Sequence, residues 1–169
     1  MKAEVIRMDA AHPDKEALKK AGDIIKNGGL VAFPTETVYG LGGNALDPGA
    51  SGKIYAAKGR PSDNPMIVHI ADFRDLEKLT TEITDDMRTL AQQFWPGPLT
   101  MICKRRPVVP DVTTGGLDTV GIRMPSNQVA KLLIEESGCV IAAPSANLSG
   151  KPSPTCASHV VDDMNGKID

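Results

Sequence analysis

The stretch Leu30-Val31-Ala32-Phe33-Pro34-Thr35-Glu36-Thr37-Val38-Tyr39-Gly40-Leu41-Gly42-Gly43 decides how the rest of this chain is read. Leu30 to Phe33 is a short apolar run of the kind a buried strand has, and Pro34 removes a ladder donor and ends or kinks it. Polar residues follow where burial is expected. In an extended segment the hydroxyls of Thr35 and Thr37 share one face and Glu36 takes the other. Two hydroxyls beside a run of glycines can line a pocket; equally, the threonines suit a strand and the glycines a turn.

Working outward, Glu4 to Arg7 reads as a first short strand. A helix starts near Pro13 and Asp14, carries Ala17, Leu18, Ala21, Ile24 and Ile25 at helical spacing, and stops at Gly28-Gly29. Asp47-Pro48 opens a second helix that runs to about Lys58. Met66 to Ile70 is a strand. Asp72 and Thr84 are N-caps, the second for a helix whose buried stripe is Met87, Leu90, Ala91 and Phe94. After the break Trp95-Pro96-Gly97-Pro98, Leu99 to Cys103 is a strand and residues 105–118 a loop without periodicity. Val120 to Arg123 is a strand, Val129, Leu132 and Leu133 mark a helix stopped by Gly138, and Val140 to Ala143 is another strand. A small-residue loop, Ser145 to Pro154, leads into a last helix from Thr155 to Met164. Strands alternating with helices predict a three-layer α/β domain, and the irregular loops argue against a purely parallel sheet.

The 169 residues suffice for one domain with a packed core. Hydrophobic residues at 41% and charged residues at 24% disfavour disorder. One Trp, two Tyr and three Phe are few rings for stacking single-stranded bases, and a net charge of −2 gives no global pull toward a phosphate backbone. Cys103, Cys139 and Cys156 are odd in number and far apart, so neither a disulfide framework nor a zinc site is indicated, and no metal-binding set is expected in the protein. Residues 1–8 lack the apolar core of a signal peptide and no run reaches membrane-spanning length, so a soluble, cytoplasmic protein without membrane contact is expected.

Two phosphate-binding signatures fail. Gly52-Lys53 lacks the upstream glycine of a P-loop and has Ile54 where Ser or Thr must stand. Gly40-Leu41-Gly42-Gly43-Asn44-Ala45 matches the loose dinucleotide fingerprint, but Asp47-Pro48 delays the helix that should hold a pyrophosphate. His12 and His159 read as surface residues. Lys58-Gly59-Arg60-Pro61-Ser62-Asp63-Asn64-Pro65 suits an anion better: it sets a point charge and a planar fork two apart, before a stiff, donor-rich turn. Arg123, ending an apolar strand, needs an anionic partner from protein or ligand. Pro144-Ser145-Ala146-Asn147-Leu148-Ser149-Gly150 repeats the pattern of the opening stretch.

Five blocks then carry a resemblance over nearly the whole chain. Pro34 to Leu41, Lys58 to Pro61 with Asn64-Pro65 and His69-Ile70, Trp95 to Thr100, Gly121 to Pro125, and Ala143 to Gly150 stand in the order and spacing of the YrdC-like family, which comprises the threonylcarbamoyl-AMP synthases. The resemblance implies a single YrdC-like domain over 1–169, with a twisted mixed sheet and a concave ligand cavity (α/β, or α+β in some schemes). It implies a nucleotidyltransferase joining L-threonine, bicarbonate and ATP into threonylcarbamoyl-adenylate and pyrophosphate, the product passing to the tRNA threonylcarbamoyl-transfer machinery. It also implies roles. Lys58 and Arg60 are the catalytic pair; Thr35, Thr37, His69, Arg123 and Ala143 surround threonine; and Lys58, Arg60, Ser62, Asn64, Thr119, Ser145, Asn147 and Ser153 meet ATP, which brings Mg²⁺. The family pattern continues into a glycine-rich segment past the last helix, so the chain ending at Asp169 reads as a shortened member or as part of a longer one. The other function class is an RNA-binding module using Lys58, Arg60, Arg123 and Lys151.

Overall fold

The computed structural model describes residues 2–169. In chain order its elements are α1 (Lys15–Lys26), β1 (Val31–Phe33), β2 (Gly40–Asn44), α2 (Pro48–Lys58), β3 (Ile67–His69), a 3₁₀ turn (Phe73–Asp75) running into α3 (Leu76–Leu79), and α4 (Asp85–Phe94). Then follow β4 (Thr100–Lys104), α5 (Asp111–Thr114), β5 (Thr119–Arg123), α6 (Gln128–Ser137), β6 (Ile141–Ala142) and α7 (Ala157–Met164). Local chemistry sets many of these bounds. The Asp14 carboxylate accepts from the backbone N–H groups of Glu16 and Ala17, Asp47 caps α2 through Gly49, and Gly138 ends α6 in the left-handed conformation at φ 64°.

The strands form one sheet in the order β1-β2-β6-β3-β5-β4, with only β3 and β5 parallel. The α/β class and the mixed sheet are as expected. Leu41, Val68, Ala142, Val120, Ile122, Met101 and Cys103 all point to one face, where they meet Ile54, Tyr55 and Leu76 in a buried cluster. Phe33, Ile141 and Ala143 point to the other, where α1 and α6 supply Leu18, Ile25, Val129, Leu133 and Ile134. Two cores, one on each face, make the three layers.

Several expectations are corrected. Residues 4–7 form no strand: the segment is irregular, with Val5 59% exposed, because no strand lies beside it to complete a ladder. The glycines after Tyr39 form the interior strand β2, not a turn. A Cβ on Gly42 would lie 2.7 Å from the Phe33 ring and 2.8 Å from Ile141, so glycine is what lets β2 slide between β1 and β6. The stripe on α4 is buried only at Ala91, and Leu90 and Phe94 face outward. The 105–118 loop contains α5, and the last helix starts at Ala157 after Cys156. The three thiols are free.

Candidate functional site

Helices α1 and α6 cover only the β1-β2-β6 half of their face of the sheet. On the β3-β5-β4 half, Ile102 is 71% exposed, and Ile67, Thr100, Thr119 and Gly121 are partly exposed. Register puts Ile67, Gly121 and Ile102 side by side in one row. A Cβ on Gly121 would rise between Thr100 and Ile102, 3.2 Å and 3.5 Å from their side chains, so the missing side chain leaves a shallow, mostly apolar floor.

Charge stands at two sides of that floor. At one, His69 of β3 pairs with Arg123 of β5. Arg123 is 9% exposed and donates through Nη2 to Glu36 Oε1 at 2.5 Å and to Thr37 Oγ1 at 3.2 Å; Glu36 Oε2 accepts from the Ser126 N–H at 3.2 Å. Burial pushes the Glu36 carboxyl up, but the Arg123 hydrogen bond and charge, with backbone N–H donors, outweigh it and hold the group below its ordinary range. Behind this pair His69 is 3% exposed, edge-on to Phe33 with ring centroids 6.1 Å apart, and its Nδ1 lies 3.2 Å from the Ile67 carbonyl. Burial, then the Arg123 charge, push the imidazole down to about 4, so it is neutral at pH 7.

Across the floor the second group gathers near the start of β3. Ala143 donates its N–H to the Ile67 carbonyl, and Ser145 bridges to Gly40. Lys58, at the last turn of α2, is 2% exposed; its ammonium donates to the carbonyls of Ser145 and, at 2.5 Å, Asn147. Burial and then the Arg60 charge lower it to about 8, partly offset by Asp163. Asp163 also holds the loop itself, accepting from Leu148 N–H and from Lys151 Nζ. Arg60 donates from Nε to the Asn64 carbonyl and from Nη2 to that of Pro65. The row of Ile67 lies two residues, roughly 7 Å, from that of His69 and Arg123. The Arg123 group thus stands at the end of β3 and the Lys58 group near its start.

Of the residues expected at the site, Thr37, His69 and Arg123 come together, and so do Lys58, Arg60, Ser145 and Asn147; Ala143 and Thr119 border the floor. Ser62, Asn64 and Ser153 lie exposed in the flanking turn and loop. Thr35 and Thr37 do not alternate with Glu36 along an extended segment. The Thr35 hydroxyl instead accepts from the N–H groups of Thr37 and Val38 and donates to the Val38 carbonyl, a turn that brings Glu36 and Thr37 to Arg123 together. Glu36 is the residue that sequence reasoning missed. The need of Arg123 for an anion was the signal that pointed to it.

A family model described as "Telomere recombination", for the Sua5/YciO/YrdC group, matches residues 23–169. The threonylcarbamoyl-AMP synthase of Pyrococcus abyssi is 59% identical over 152 residues, covering 90% of this chain and 45% of that protein. The Bacillus subtilis synthase is 57% identical over 153 residues, covering 89% and 44%. The crystal structure of P. abyssi Sua5 complexed with L-threonine superposes with a TM-score of 0.92 at 56% identity, over 94% of this chain and 46% of that one. The chain thus spans about half the length of the relatives it matches.

Proposed function

Because the chain belongs to the Sua5/YciO/YrdC family, we propose that it carries threonylcarbamoyl-AMP synthase chemistry, forming threonylcarbamoyl-adenylate and pyrophosphate from L-threonine, bicarbonate and ATP for tRNA modification. The observation that supports this most is the pairing of two separate cationic groups across one floor: an arginine at the end of β5 for a carboxylate, and Lys58 with Arg60 for a polyphosphate. A threonine-binding relative and synthases of high identity agree with it.

In this reading the Arg123 fork takes the carboxylate of threonine beside Thr37, with neutral His69 behind it. The base of ATP lies on Ile67, Gly121 and Ile102, and its phosphates reach Lys58, Arg60, Ser145 and Asn147, with Ser62, Asn64, Thr119 and Ser153 around the rim. The threonine amine attacks the carbon of bicarbonate, water leaves, and a carbamate oxygen attacks the α-phosphorus as pyrophosphate departs. The protein's part is to hold the partners in line and to neutralise charge on the phosphates, which needs no protein nucleophile. Mg²⁺ fits as a companion of the triphosphate. The oxygens that meet Lys58 and Arg60 are backbone carbonyls, those of Ser145, Asn147, Asn64 and Pro65, and no cluster of three acidic, His or Cys side chains lies among the described residues to cage an ion. When bound it supplies further charge neutralisation.

The test is pyrophosphate release from ATP, with threonine and bicarbonate present together or each withheld. Release that requires both is the expected result. Release indifferent to threonine, joined to salt-sensitive RNA binding at micromolar protein, identifies an RNA-binding module instead. The RNA reading has less to work with, because the chain carries a net charge of −2 and few aromatic rings for stacking bases.

A further inference from the structure

Glu36 has no part in the chemistry above, yet it is the only carboxylate paired with Arg123 among the described residues. Its two oxygens do different things. Oε1 takes Arg123 Nη2, and Oε2 takes the N–H of Ser126, so one side chain fastens the 34–39 turn to both the end of β5 and the corner that leads into α6. The guanidinium is left with spare donors. Nη1 makes no hydrogen bond among the described residues, and Nε is enclosed without a partner, which is costly for a buried donor.

We propose that Glu36 is a positioning residue for the amino-acid carboxylate: it grips Arg123 by Nη2 and thereby presents Nη1 to the ligand. The proposal rests on the reading of Arg123 given under the proposed function. A long arginine has several rotatable bonds, and holding it beforehand removes an ordering cost that binding otherwise bears. Arg123 Nη2 also donates to Thr37 Oγ1, so the same turn holds the cation at two neighbouring residues.

The experiment compares Glu36→Ala and Glu36→Gln with the wild-type chain by calorimetry, titrating L-threonine and ATP separately, with thermal melts to confirm folding. Glu36→Ala is expected to weaken threonine at least tenfold and ATP less than twofold. Glu36→Gln keeps an acceptor for Nη2 and falls between. A merely structural role moves both ligands together, and equal losses overturn the proposal. So does tighter threonine binding by Glu36→Ala, since Glu36 then competes with the ligand. Side-chain nitrogen-15 spectra of ligand-free protein give a second readout, in which restrained Arg123 Nη signals become averaged in Glu36→Ala. A wild-type chain that binds no threonine overturns the proposed function, whereas Arg123 signals already averaged in the wild type overturn the role of Glu36.

Discussion

Arg123 and Arg60 differ in their surroundings, and the proposed function gives them different work. Arg123 is nine-tenths buried and tied to a carboxylate, whereas Arg60 is half-buried and tied only to backbone carbonyls. Removing a charged, hydrogen-bonded partner of a bound anion costs about 2–5 kcal/mol. Arg60→Ala should therefore weaken ATP far more than threonine, and Arg123→Lys, which keeps the charge but loses the fork, should do the reverse. Calorimetry with both ligands checks this, and equal losses from each variant reject the division. His69 carries a second expectation. Its imidazole sits at about 4 in the fold against an ordinary value of 6.5, so between those values the unfolded chain binds more protons. Its contribution to stability is present in full above about pH 6.5 and is lost as pH falls toward 4. Denaturant melts at stepped pH should show the loss, and His69→Phe should flatten the slope over that window.

At the scale of the element, β5 has a helix-free face at Gly121 and a packed face at Val120 and Ile122. Gly121→Val adds methyl groups to the floor, where the first carbon already comes within 3.2 Å of Thr100. ATP affinity should fall about tenfold or more, the equivalent of roughly 1.4 kcal/mol, while threonine binding at Arg123 holds. Unchanged ATP binding places the base elsewhere. The same element scale explains the close crossing of α1 and α6: a Cβ on Gly22 would stand 2.8 Å from the Ser137 backbone nitrogen, so that helix pair requires the glycine. Periodicity and caps found α1, α2 and α6 because their signals are local: Asp14, Asp47-Pro48 and Gly138 act within a turn of themselves. The same signals overstated α4. Its pattern of Met87, Leu90, Ala91 and Phe94 is amphipathic, but only Ala91 is buried, Met87 packs against the core from its edge, and Leu90 and Phe94 face outward.

At the scale of the whole molecule, the sheet order β1-β2-β6-β3-β5-β4 brings Gly40 beside Ser145 and His69 beside Arg123, and so sets residues from well-separated sequence blocks next to one another. The sequence by itself determined the α/β class, most helices, the strands that end at prolines, and the residue types able to hold a carboxylate and a polyphosphate. It also determined that Arg123 needs an anion, since an unpaired charge at the end of an apolar strand is expensive. Only the tertiary structure decided which anion meets it. Glu36 lies 87 residues away in the chain, and no local rule turns the 34–39 segment toward β5 until β1, β2, β6 and β3 are stacked between them. The same holds for β2, whose glycines have no β propensity of their own and become a strand because two neighbours bind its backbone, and for Lys58, whose burial is fixed by carbonyls from a loop 87 residues and more downstream.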